Sequence, residues 1–366
     1  MVTGQGIPLR KIEVSAFTVP TSSPEGDGTL RWDSTTMVLA EAHAGDIRGL
    51  GYTYAHSAAA AIIRDTLAPL LIGRDVMDVS GCWAEMVRAV RNIGRAGVCS
   101  EAISAVDAAL WDLKARLLGL PLVKLLGQVR ESVPLYFSGG FTTYSVEELT
   151  RQLRERAAEG FQRLKMKVGS EPAKDLERVR AAREAIGPDA ELFIDANGAY
   201  TRKQALHLAE RVAPVAVTWF EEPVSSDDLP GLRLLRDRAP AGMNIAAGEY
   251  GYDAGYFRRM LESGAVDVLQ ADATRCAGIT GFLQVDALCE GFGVPLSAHT
   301  APALHLHVCA AAGRLVHLEY FHDHVRLERM MFDGVVEPVN GTLRPDLSSP
   351  GMGFEFKRTD AQRFAA

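Results

Sequence analysis

The spacing of apolar positions changes twice along the chain. Between Lys11 and Tyr54, "KIEVSAFTV", "STTMVLAEA" and "RGLGYTY" alternate or run as short β-branched stretches, which predicts three strands. The segment joining the first two, "PTSSPEGDGTLRWD", is rich in Pro, Gly and Ser and reads as a mobile loop. From about Ala59 to Leu126 the spacing is helical, most clearly in "SEAISAVDAALWDLKARLLG". This N-terminal part is therefore α+β.

After Val133, short apolar runs alternate with helical stretches. Strands are expected at "VPLYFS", "RLKMKV", "ELFID", "VTWFE", "NIAAG", "VDVLQA", "VPLSA" and "VHLE". Helices such as "SVEELTRQLRERAAEG", "TRKQALHLAERV" and "GITGFLQVDALCEGF" lie between them. Eight strands in a βα rhythm predict a closed parallel barrel rather than an open sheet. Only loops are expected after the eighth strand. The tail "MMFDGVVEPVNGTLRPDLSSPG" is expected to leave the barrel and pack on the N-terminal part.

Composition narrows the class of function. The chain has 366 residues, 47% hydrophobic and 23% charged, with a formal net charge of −7. That balance is globular and gives no footprint for nucleic acid or a membrane surface. Five cysteines without C-x-x-C spacing read as reduced, buried small hydrophobes. The first residues hold no apolar segment of the export type, and a cytoplasmic location is expected.

In a parallel barrel, side chains at the C-terminal strand ends converge on the active site. In this sequence those ends carry Ser138, then Lys165 and Lys167, Asp195 with Asn197, and then Glu221, Glu249, Asp272, His299 and Glu319. Lys165 and Lys167 are two apart, so they share one face of their strand while Leu164, Met166 and Val168 take the other. Any one of these groups alone could be a solvated edge residue or a helix cap. Polar groups at every end are hard to reconcile with packing, because buried charge is costly unless paired or metal-bound. Asp195, Glu221 and Glu249 are hard oxygen donors from three neighbouring strands and suit Mg²⁺. Glu222 follows Glu221, and strand parity lets one of the two face the metal. Asp272 and His299 sit on adjacent strands, placed for the carboxylate to orient the imidazole. His305, His307, His317, His322 and His324 are read as core or surface groups.

The ordered set "KMK", "DANG", "FEEP", "GE", "ADATRCAGITG", "SAH" and "LE" resembles the enolase superfamily, in its mandelate racemase subgroup. The resemblance covers nearly the whole chain. It implies an α/β fold: a modified TIM barrel of seven βα units plus a final strand, with an α+β N-terminal capping domain completed by the C-terminal segment. The implied division is 1–130 for the capping domain, 131–325 for the barrel and 326–366 for the returning segment. It implies Asp195, Glu221 and Glu249 as Mg²⁺ ligands, Lys167 as a base and Lys165 as support for the substrate carboxylate. It further implies His299 with Asp272 as a dyad on the opposite face, and Glu319 as the acid bonded to the enolate oxygen. Ser138 and Asn197 match substrate contacts, and homo-oligomers are common in the family.

The chemistry implied is removal of a proton α to a carboxylate, giving an enediolate. Lys or His bases with Mg²⁺ are a known pattern for this class of enzyme. Loss of a β-hydroxyl from that intermediate would make the protein an acid-sugar dehydratase, releasing a 2-keto-3-deoxy acid. Return of the proton would make it a racemase or epimerase. A barrel that binds metal and ligand without catalysis is the remaining reading. The segment from Pro20 to Trp32 is expected to close over the substrate, and the resemblance implies two lid loops, in the 20s and the 50s; Arg31, Trp32, Tyr52, Tyr54 and His56 in this lid are the candidates for specificity.

Overall fold

The computed structural model describes residues 6–366. Three antiparallel strands come first: β1 (Lys11–Gly26), β2 (Arg31–Ala44) and β3 (Ile47–Tyr54). The helix Val98–Leu117 lies across them, and the approach is close because β3 carries glycine there. A Cβ at Gly51 would come within 2.2 Å of the Ala105 carbonyl oxygen, and one at Gly49 within 2.3 Å of that of Ala109.

The barrel strands are β4 (Val133–Gly139), β5 (Arg163–Lys167), β6 (Glu191–Asp195) and β7 (Val217–Glu221). They continue as β8 (Asn244–Ala247), β9 (Val268–Ala271), β10 (Leu296–Ala298) and β11 (Leu315–Phe321). Each pairs in parallel with the next, and β11 pairs with β4 to close the ring. A helix follows each of the first seven strands. The expected modified barrel is the observed one.

Two expectations about connecting segments are corrected. The supposed loop from Pro20 to Trp32 is mostly strand: β1 runs on to Gly26, β2 begins at Arg31, and a bulge between Pro20 and Glu25 absorbs the irregular sequence. The chain after β11 is a helix, His322–Met331, not loops alone. It faces the N-terminal sheet: the Tyr52 hydroxyl donates to Glu328 Oε1 at 2.6 Å, and that of Tyr54 to the His324 carbonyl at 3.3 Å. The tail also touches that sheet, through Arg358 to Glu41 and through Phe356, whose ring centroid lies 5.5 Å from that of Phe17.

The barrel interior explains why the polar strand ends point inward. Tyr136, Phe193 and Trp219 fill the floor, with the Phe193 and Trp219 rings stacked at 5.1 Å. Each lies two residues before Ser138, Asp195 or Glu221 on its own strand, so strand alternation directs both members of a pair to the axis. The polar layer of the strand ends sits on top of this aromatic floor.

Candidate active site

Asp195 and Glu221 end β6 and β7, Glu249 lies two residues beyond β8, and one carboxylate oxygen from each lies within 4.8 Å of the others. Glu249 Oε2 is buried and makes no hydrogen bond. A set of three hard donors with an unbonded oxygen fits a divalent cation that takes oxygen ligands. The neighbour Glu222 leaves the strand in the left-handed region, at φ 36°, so its carboxyl is turned out of this set. Asn197 at φ 46° and Thr300 at φ 50° lie just beyond β6 and β10, so unfavourable backbone conformations cluster at the barrel mouth.

The two lysines are held by these carboxylates. Lys165 Nζ, fully buried, lies 2.6 Å from Glu221 Oε1, 2.9 Å from Glu319 Oε1 and 3.4 Å from Asp195 Oδ2. Lys167 donates to Asp195, and at 3.1 Å to Asn197 Oδ1. Burial pulls the pKa of Lys167 down, helped by Lys165, but Asp195, Glu249 and Glu221 together reverse this and the net shift is upward. Burial likewise pushes the Glu319 carboxyl up, but Lys165, His299 and Lys167 together override it, holding that carboxyl well below its usual range. For Glu221 burial prevails, reinforced by Asp195, and its pKa rises to about 8.

On the other side, His299 Nδ1 bonds Asp272 Oδ2 at 2.9 Å. Asp272 Oδ1 accepts from the Thr274 amide and hydroxyl, both at 2.7 Å, which fixes the carboxylate. Nε2 of His299 lies 3.4 Å from Glu249 Oε2 and 3.6 Å from Glu319 Oε2. Burial lowers the proton affinity of the ring, yet Glu249, Glu319 and Asp272 together raise its pKa above the ordinary value.

These groups open into a cavity of about 690 Å³ between barrel and N-terminal sheet. Lys167, Asn197, Glu249, His299 and Glu319 line its floor, while Ser138 and Lys165 are sealed beneath it. Trp32, Tyr54 and His56 reach the cavity. Arg31 does not: it lines a neighbouring cleft with Glu171, Lys174 and Arg178. Trp32, next to it on β2, points the other way, because adjacent strand residues face opposite sides. Tyr52 is also displaced from the site, its buried hydroxyl bonded to Glu328 and accepting the Leu304 amide. His324, read from sequence as a core or surface group, lines the cavity with its ring stacked on Tyr54 at 3.5 Å. Sequence reasoning also missed Asp27, Tyr250 and Arg275; the last two adjoin the "GE" and "ADAT" motifs, which was the available signal.

Comparison with known proteins follows the same division. Residues 12–127 match the family described as mandelate racemase/muconate lactonizing enzyme, N-terminal domain, and residues 148–361 match the enolase C-terminal domain-like family. The structure is similar to that of a mandelate racemase/muconate lactonizing enzyme-like protein from Rubrobacter xylanophilus, with TM-score 0.96 and 56% identity over 98% of this chain and 100% of that one. D-galactarolactone cycloisomerase of Agrobacterium fabrum is 32% identical, covering 93% of this chain and 94% of its own length. L-talarate/galactarate dehydratase of Salmonella typhimurium is 32% identical over 85% of this chain and 80% of its own. The structure of that dehydratase with Mg and L-lyxarohydroxamate has TM-score 0.91 and 28% identity, covering 100% of this chain and 95% of that one.

Proposed function

The chain belongs to the mandelate racemase and muconate lactonizing enzyme family of the enolase superfamily, and from that premise we propose that it is a Mg²⁺-dependent dehydratase of a sugar acid. The observation that carries this reading is a lysine and a histidine–aspartate dyad meeting one cavity beside a three-carboxylate set. Lys167 and His299 come from β5 and β10, three strands apart around the ring. Sugar-acid dehydratase and cycloisomerase names among the relatives support the substrate class.

In this reading Asp195, Glu221 and Glu249 would hold the metal, which would supply positive charge against the substrate carboxylate. Lys167 is the group placed to act as base: its burial and the neighbouring Lys165 ammonium favour the free amine, against the pull of Asp195. The amine takes the α-proton. Negative charge then collects on the carboxylate oxygens of the enediolate, where the Lys165 ammonium, held just beneath the floor by Glu221 and Glu319, lends positive charge. His299, protonated and steadied by Asp272, gives its proton to the β-hydroxyl, which leaves as water. The enol product tautomerises to the 2-keto-3-deoxy acid.

Racemisation or epimerisation is the second reading, because the same pair of bases can remove a proton on one face and return it on the other. A sugar-acid library incubated with enzyme and Mg²⁺ separates the two. A 2-keto acid that forms with Mg²⁺ and stops with EDTA supports dehydration. α-Epimers without keto acid replace it with racemisation, and no reaction of any acid overturns both.

A further inference from the structure

The cavity is densely charged at its catalytic end, while its far wall carries one carboxylate, Asp27, and, among the described residues, no lysine or arginine side chain. Among the described residues, three side chains of cationic type line it besides the imidazoles of His56 and His324: Lys167, Arg275 and His299. Lys167 and His299 belong to the carboxylate set. Arg275 donates to the Glu249 carbonyl at 3.1 Å and to its carboxylate at 3.3 Å, lies 3.7 Å from Asp272 Oδ2, and rests 5.3 Å over the Tyr250 ring. That guanidinium is already shared between two carboxylates. Arg31, the nearest candidate for a free cation, turns into the other cleft.

The rest of the wall is built of hydroxyls, imidazoles and apolar rings. Ser34, Thr35 and Thr36 come from β2, and Tyr54 and His56 from the end of β3 and just beyond it. His56 Nδ1 accepts the Ala58 amide at 3.1 Å, which commits that nitrogen as an acceptor. His324 is stacked on Tyr54 with the rings 15° apart, and the Phe321 ring meets it nearly edge-on at 4.9 Å. Burial pushes its pKa well below the ordinary value, so the ring is neutral. Its Nδ1 is buried and has no hydrogen-bond partner. The one carboxylate on this wall, Asp27, caps the tip of its own hairpin by accepting the Thr29 and Leu30 amides.

We infer that the site takes a sugar acid with a single carboxylate and an uncharged far end, and that His324 is the wall residue that reads that end. The inference rests on the sugar-acid reading above and narrows it. A substrate with a carboxylate at both ends would bring its second charge toward Asp27, to a wall with no lysine or arginine free of a carboxylate partner among the described residues. Like charges brought together without a cation between them are unfavourable, whereas hydroxyls find partners on Ser, Thr and imidazole groups. The expected discrimination is on the order of 10²-fold in kcat/KM in favour of the monoacid.

The test compares matched pairs of the same stereochemistry, an aldonate against the aldarate that differs only by oxidation at the far carbon. Wild-type enzyme with Mg²⁺ should favour the aldonate. Ser34→Arg, at an exposed strand position on the cavity rim, should move the ranking toward the aldarate. His324→Phe keeps a ring on Tyr54 but removes both nitrogens. It should raise KM more than it lowers kcat, and it should reduce the preference for the aldonate over its far-end deoxy analogue. An unchanged preference in that variant overturns the assignment of His324. Equal or better turnover of the aldarate by the wild type overturns the single-carboxylate inference while leaving the dehydratase reading intact. If neither acid reacts, the dehydratase reading fails and calorimetric titration of the Mg²⁺-loaded protein with the same pair decides: tighter aldonate binding supports the inference, and equal or tighter aldarate binding overturns it.

Discussion

At the scale of single residues, the account turns on Lys167 and His299 having different duties. Lys167→Ala should lose activity only toward substrates whose α-proton faces the lysine. His299→Asn should stop elimination while Lys167 still exchanges the α-proton of a suitable epimer. General acid–base groups contribute roughly 10²–10⁴-fold, and with a poor leaving group the share of His299 should lie at the upper end. Measuring solvent deuterium uptake and keto-acid release separately for both variants checks this, and equal retention of both reactions in both variants contradicts it. The inward-facing residues were legible in the sequence because alternation from the aromatic floor fixes their direction: Trp219 in implies Glu221 in. The cavity wall was less legible. Arg31 and Trp32 are neighbours with opposite faces, and the bulge between Pro20 and Glu25 removes the parity that would tell them apart. His324 could not be placed because its helix was not expected.

At the scale of elements, the hairpin of β1 and β2 carries the upper wall of the site. Its tip presses on the barrel: a Cβ at Gly28 would lie 2.3 Å from the Ala196 carbonyl oxygen and 2.7 Å from that of Val168. Thr142 and Thr143 also donate from the loop after β4 to the carbonyls of Asp27 and Pro24, both at 2.7 Å. Pro, Gly and Ser made this segment read as loop, but cross-strand pairing outweighs local propensity, and the sequence does not reveal the partner strand. Within the hairpin, Glu25 is buried, accepts the Trp32 indole N–H at 3.0 Å through Oε2, and has no partner for Oε1. Burial, with help from Asp323, pushes its pKa up to about 8, against the opposing pull of Trp32 and Arg326. A carboxyl raised in the folded state contributes its stability fully below the ordinary value of 4.5 and loses it as pH climbs through about 8. Glu25→Gln keeps the indole bond without the titration. The stability of the wild type relative to this variant should therefore fall between pH 5 and pH 9, by roughly 1–3 kcal/mol. Thermal melts across that range check it, and parallel profiles contradict it.

At the scale of the whole molecule, neither part makes the site alone. The barrel supplies the charged floor, while the N-terminal hairpin and the helix His322–Met331 supply the wall that closes it. The parallel barrel was legible because its βα rhythm is local and repeated. The way the last helix ties it to the N-terminal sheet was not, since Thr35 to Asp323 and Tyr52 to Glu328 are contacts between distant parts of the chain. The arrangement buries the charged groups, whose interactions strengthen in a low dielectric. The central claim is that these groups remove a proton α to a carboxylate, and solvent deuterium reads it: at C3 of the keto acid, and at the α-carbon of acid that is recovered after exchange. With Mg²⁺ in deuterated water, sugar acids that the enzyme accepts should show this uptake, and EDTA should end the reaction. A keto acid whose new C3 hydrogen comes from the substrate rather than from solvent, or unchanged turnover after the metal is removed, would contradict the account.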